Sequence, residues 1–216
     1  MLSERLRELY KDLWEKTVNH PFVIELYEGS LPIEKFIYYV KQDYNYLIAL
    51  TKVFSIIASK APDLDKARIA LELAYGTVTG ELANYKEILS MLGLSLDEAR
   101  ETEPNPVNIA YMNHMIATAY EHDYWTGLVA TLPCMWTYLD IAYRHRHRLE
   151  NNRNNIYRRW ASVYYSKQYA ELLKIIRDVI DTSPKNIDEV KKVFELSLRY
   201  EYLFWDYAYK MERWPI

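Results

Sequence analysis

The chain has 216 residues, half of them hydrophobic, and its 27 Lys and Arg against 30 Asp and Glu give a formal net charge of −3. That length and apolar content suit one domain, residues 1–216, with a substantial core, and exclude a disordered chain. The charge balance leaves no basic field for nucleic acid or an anionic membrane, and no apolar run approaches the roughly 18 residues of a membrane span.

Nearly every segment reads as helix, so the predicted fold class is all-α, a helical bundle. Leu2 to Val18 places apolar residues on one face of a single helix. Its charged start, MLSERLRELYKDLWEK, does not fit a secretory signal, and the expected compartment is the cytosol. Asn19-His20-Pro21 breaks the helix, because proline disfavours helix in the residue before it. A short helix then runs to Tyr27 and stops at Gly29. Ile33 to about Lys60 is a long apolar helix. The next starts at Pro62-Asp63 and runs to Leu92, with Gly93 as its stop. Gly76 and Gly80 fall inside it, where close approach of another helix or a ligand would explain them. Ser95-Leu96-Asp97-Glu98 has a capping pattern, and Glu103 to Pro106 is a turn. Helices are expected over about Val107–Tyr120 and Asp123–Leu149, the second kinked near Ala130 to Pro133. Asn151 to Asn155 reads as a polar loop. Two further helices are expected near Ile156–Ile180, with a possible break around Tyr164, and Ile187–Tyr209.

A single cysteine, Cys134, excludes an intrachain disulfide and a multi-cysteine zinc site. The five glycines cannot form a GxGxxG or GxxxxGK[ST] phosphate loop. No Glu-x-x-His or HExxH occurs, which counts against metal in the bundle. His145 and His147 alternate with arginines and read as a solvated helix end. His20 and His114 read as structural. The unusual feature is 21 tyrosines and 6 tryptophans. Such rings fill a core, and they also suit a pocket that stacks on a flat ligand and hydrogen-bonds its edge.

Three positions could carry chemistry. Cys134 follows Pro133, with Tyr138 one turn on and on the same helix face. It reads either as a small core hydrophobe or as a nucleophile, and a reactive thiol there is expected to alkylate faster than a buried one. Glu201 lies in LRYEYLFWDYAY, with Phe204 and Trp205 on its face. A carboxyl buried among such rings should have a raised pKa and could serve as general acid or base, unless it pairs with Arg199 at the surface. Asp43 and Tyr46 share a face of an apolar helix. An inward Asp there wants a backbone, cationic or amidine-like partner, and an aminopyrimidine edge offers the last.

The stretches HPFVIELYEGSL, YYVKQDYNYL, NPVNIAYMNHM, LPCMWTYLDIA and RYEYLFWDYAY, in this order and spacing, resemble the TenA family, also called thiaminase II or aminopyrimidine aminohydrolase. The resemblance covers nearly the whole chain. It implies a haem oxygenase-like helical fold, a homotetramer, and a role in thiamin salvage. The implied reaction hydrolyses 4-amino-5-aminomethyl-2-methylpyrimidine to the hydroxymethyl compound with release of ammonia, and cleaves thiamin more weakly. No cofactor is implied. The family's nucleophile falls on Cys134, its catalytic glutamate on Glu201 and its pyrimidine-binding aspartate on Asp43. Its aromatic pocket falls on Tyr46, Tyr111, Tyr138, Tyr164 and Phe204. One departure is Tyr85, where some relatives carry a histidine at the pocket edge. The competing readings are a non-catalytic thiamin or pyrimidine binder or a regulatory protein on the same fold, a haem or di-metal oxygenase, and a purely structural bundle with an inert thiol.

Overall fold

A computed structural model describes residues 1–216 and contains twelve α-helices, one π-helical turn and no strand. The stretch read as one N-terminal helix is two, α1 (Leu2–Leu9) and α2 (Lys11–Val18), separated at Tyr10. The apolar residues 2, 6, 10, 14 and 18 recur every fourth position. At 100° per residue that stripe would rotate by about 160° around one straight helix. The break lets Leu6 and Trp14 both reach the core, where neither is exposed.

α3 (Pro21–Glu28) begins at His20, whose Nδ1 accepts a hydrogen bond from the Phe22 amide at 3.2 Å. It ends at Gly29, with φ of +85°. A Cβ there would lie 2.5 Å from Oδ1 of Asn152, so only glycine fits. The polar 151–155 loop is therefore not simply solvated. Asn152 is buried, and its Nδ2 donates to the carbonyls of Leu26 and Tyr27.

α4 (Ile33–Ser59) leads to α5 (Leu64–Gly76), which passes without a loop through a π-helical turn (Thr77–Glu81) into α6 (Leu82–Leu92). The expected single helix over 62–92 is thus interrupted by an extra residue per turn. Nothing lies within 4 Å of a Cβ built on Gly76 or Gly80, so no helix crosses closely at either. α7 (Leu96–Arg100) carries the predicted capping box. α8 (Pro106–Glu121) starts at Asn105, tied to α4: Gln42 Oε1 accepts from the Asn105 amide at 2.9 Å, and Asn108 Nδ2 donates to the Gln42 carbonyl at 2.8 Å.

α9 (Tyr124–Leu149) runs unbroken through Pro133 and packs against helices on every side. Its last turn is less solvated than expected. His145 is buried and lies 2.9 Å from the Val18 carbonyl, while Arg144 pairs with Glu15 and Asp140. α10 (Asn155–Tyr164) and α11 (Lys167–Asp181) are separate, with Ser166 capping the second. α12 (Ile187–Lys210) packs on α2, α4, α8 and α9.

Candidate active site

α4, α8, α9, α10 and α12 surround a cavity of about 450 Å³, and the π-helical turn and the start of α11 form more of its wall. All eight residues singled out from the sequence line it: Asp43, Tyr46, Tyr111, Cys134, Tyr138, Tyr164, Glu201 and Phe204. No Lys, Arg or His does. The volume is in the range of a small-molecule site.

The walls are aromatic. Tyr46 lies 5.3 Å from Tyr111 and 5.9 Å from Phe204, centroid to centroid, and Tyr138 lies 4.8 Å from Tyr164. Trp205, the next residue after Phe204, points away into the core against Phe22 and Tyr39. A single helix turn thus supplies one ring to the cavity and one to its support.

Glu201 is 3% exposed and does not pair with Arg199, which binds Glu195 on the surface instead. Tyr111 donates to Glu201 Oε1 at 2.7 Å. Burial raises the Glu201 pKa to about 7, against the opposing effect of hydrogen bonds from Tyr111 and Cys134. The group can therefore both take and give a proton near neutrality. Burial also pushes the Cys134 thiol up, and the negative charge of Glu201 pushes it further, with Tyr46 acting the other way. The resting residue is thus a thiol. Fast alkylation, the expected sign of reactivity, does not suit this environment, because no cation stabilises a thiolate. Asp43 is held well above the usual carboxylate range by burial and by the charges of Glu81 and Glu201.

Sequence reasoning missed Tyr39, Tyr169 and Glu81. The Tyr39 hydroxyl lies 3.1 Å from that of Tyr138, and Tyr169 donates to the Met135 carbonyl at 3.0 Å. Glu81 ends the π-helical turn, lines the cavity and is raised in pKa by burial. Its only signal was the pair of glycines before it, which a regular helix would not explain. Tyr85 stands outside the main cavity and donates to the Val40 carbonyl at 2.8 Å. His114 lies 2.9 Å from the Ser197 hydroxyl, away from the cavity. No three His, Cys, Asp or Glu side chains converge closely enough to hold a metal ion.

Residues 8–211 match the model of the TENA/THI-4/PQQC family. The aminopyrimidine aminohydrolase of Bacillus subtilis (strain 168) is 32% identical, over 98% of this chain and 91% of that protein. A solved structure, the TenA homologue protein from P. horikoshii OT3, is 41% identical and superposes with a TM-score of 0.95, covering 98% of this chain and 100% of that one. A domain of unknown function with a heme oxygenase-like fold from Shewanella denitrificans OS217 is 15% identical, with a TM-score of 0.79 over 96% of this chain and 92% of that one. That likeness is one of fold alone.

Proposed function

The chain belongs to the TENA/THI-4/PQQC family, and from that premise we propose that it is an aminopyrimidine aminohydrolase that uses Cys134 as nucleophile. The observation that carries the reading is the convergence of Cys134, Glu201 and Asp43 on one aromatic cavity with no Lys, Arg or His in its wall. An acidic, ring-lined cavity suits a flat ligand that bears an amidine edge and a basic amine.

The substrate is 4-amino-5-aminomethyl-2-methylpyrimidine, and thiamin is a weaker one. The ring stacks among Tyr46, Tyr111, Tyr138, Tyr164 and Phe204, and Asp43 holds its amidine edge. Cys134 Sγ adds to a ring carbon beside the one bearing the aminomethyl group, and its proton passes to Glu201. Glu201 then protonates the amine as ammonia leaves and the side-chain carbon becomes an exocyclic methylene. Water adds to that methylene, giving a proton back to Glu201. The S–C bond breaks, the ring regains its aromaticity, and sulfur takes up a proton. The sum is amine plus water giving alcohol plus ammonia.

The same reading extends to a single domain that acts as a homotetramer in the cytosol, in thiamin salvage. Exposed Leu64, Leu71, Tyr75 and Val78, on α5 and the π-helical turn, are apolar surface that an assembly would cover. No helix is long and apolar enough to cross a membrane, and no nucleic acid partner is proposed.

The test is an ammonia-release assay. Cys134→Ser is expected to abolish release from the aminomethylpyrimidine, and near-normal turnover in that variant would overturn the mechanism.

A further inference from the structure

We propose that Glu81 is a positioning residue that keeps a proton on Asp43, so that Asp43 meets the substrate's amidine edge as a carboxylic acid. The inference rests on the aminopyrimidine reading above. A neutral 4-aminopyrimidine edge presents an acceptor, the ring nitrogen, beside a donor, the exocyclic amine. A carboxylate only accepts, so one of its oxygens would face the lone pair of the ring nitrogen. A carboxylic acid donates with one oxygen and accepts with the other, and it satisfies both groups.

The surroundings favour the acid. Neither Asp43 nor Glu81 receives a hydrogen bond from the protein, and both stand half-buried in the cavity wall. The two carboxyls line the main cavity together, and they also line a second void of about 30 Å³ behind it, with Asn84 and Tyr85. The Tyr85 hydroxyl is committed to the Val40 carbonyl. The groups facing the pair from each neighbouring element are Tyr39 on α4, Glu72 on α5, Tyr85 on α6, Cys134 and Tyr138 on α9, Arg159 and Tyr164 on α10, Tyr169 on α11 and Glu201 on α12. Arg159 is the one cation among them, and it is engaged by Glu87 at 2.6 Å and Asn84 at 2.7 Å. Two neighbouring half-buried carboxyls without a donor or a free cation oppose each other's ionisation, the more so once a bound ring displaces water, so one proton is retained between them. The repulsion between the two carboxyls is mutual, but Asp43 is also raised by the charge of Glu201, and only an acid at Asp43 satisfies both groups of the amidine edge. The retained proton is therefore placed on Asp43.

That proton has work to do in the reaction. As the S–C bond forms, it moves from Asp43 to the ring nitrogen, which takes up the displaced electron pair. It returns to Asp43 when sulfur is expelled.

The test measures affinity for the hydroxymethylpyrimidine product by intrinsic fluorescence, across about pH 5 to 9. In the wild type, binding should weaken as pH rises through the Asp43 titration. Glu81→Gln removes the neighbouring charge, so that midpoint should move down by about one unit, with affinity below it unchanged. Glu81→Asp, which keeps the charge, should restore the wild-type midpoint. An unmoved midpoint in Glu81→Gln, or an equal loss of affinity at every pH, would overturn the proposal. If Glu81→Gln does not fold, carbon-13 NMR of the wild-type Asp43 carboxyl decides: a titration raised and split by coupling to a second carboxyl supports it, and a single step in the ordinary range refutes it. A wild type that releases ammonia but fails these tests loses only the role of Glu81. One that neither binds the product nor releases ammonia loses the functional reading itself.

Discussion

Glu201 illustrates what a functional side chain costs the fold. Its pKa of about 7 in the folded chain lies above the value of about 4.3 for an unfolded glutamate. Between those values the native state holds a proton that the unfolded chain has lost, so stability falls as pH rises through that window. Glu201→Gln carries no charge and keeps an acceptor for the Tyr111 hydroxyl. It is expected to stabilise the protein by up to about 3 kcal/mol at pH 8 and by little at pH 4, while abolishing ammonia release. Denaturant unfolding at the two pH values checks this, and an equal effect at both would refute it. The same charge governs Cys134. Because burial and Glu201 hold the thiol up, iodoacetamide should modify it slowly at neutral pH and faster as pH rises. Glu201→Gln should speed the reaction at a given pH, and the aminopyrimidine product should block it.

At the scale of the helix, two glycines that look alike in sequence have opposite roles. Gly127 sits where α9 crosses α4, and a Cβ there would lie 2.7 Å from Cγ1 of Ile57, itself 1% exposed. Gly127→Ala should destabilise by about 1–3 kcal/mol, because the overpacking strain exceeds the gain in helix propensity. Gly76 has helical backbone angles and nothing within 4 Å of its would-be Cβ. Gly76→Ala should therefore stabilise by up to about 1 kcal/mol. Thermal melts of the pair check both signs. Gly76 lines the cavity instead of a helix crossing, so its alanine variant is also expected to turn over the bulkier thiamin less well than the small aminomethylpyrimidine. The π-helical turn beside it re-aims the chain and brings Glu81 to the cavity wall.

At the scale of the whole molecule, the cavity exists only when helices distant in sequence are assembled, so a ligand that fills it is coupled to global stability. The hydroxymethylpyrimidine product at 100 times its Kd should stabilise by about 2.7 kcal/mol. Cys134→Ser should keep that increment, since it removes the nucleophile and leaves the ring slot intact; loss of the increment would make Cys134 a binding group instead. Much of this was legible in one dimension. Helix positions follow from apolar periodicity and from caps such as Ser95 and Gly93, because these are local properties of the backbone. Cys134, Glu201 and Asp43 stood out because a polar group in an apolar helix demands a partner, and the wall rings and the joint role of all eight residues came from resemblance to a family. The breaks at Tyr10 and in the 77–81 turn did not stand out, since tertiary packing resets a stripe or inserts a residue without leaving a proline or a cap. The sequence by itself determined an all-helical chain with isolated polar groups facing inward. Only the tertiary structure decided that those groups share one cavity, that Glu81 joins them, and that no cation does. Charge proximity, and with it every proton position in the site, depends on distances through space that spacing along the chain does not contain.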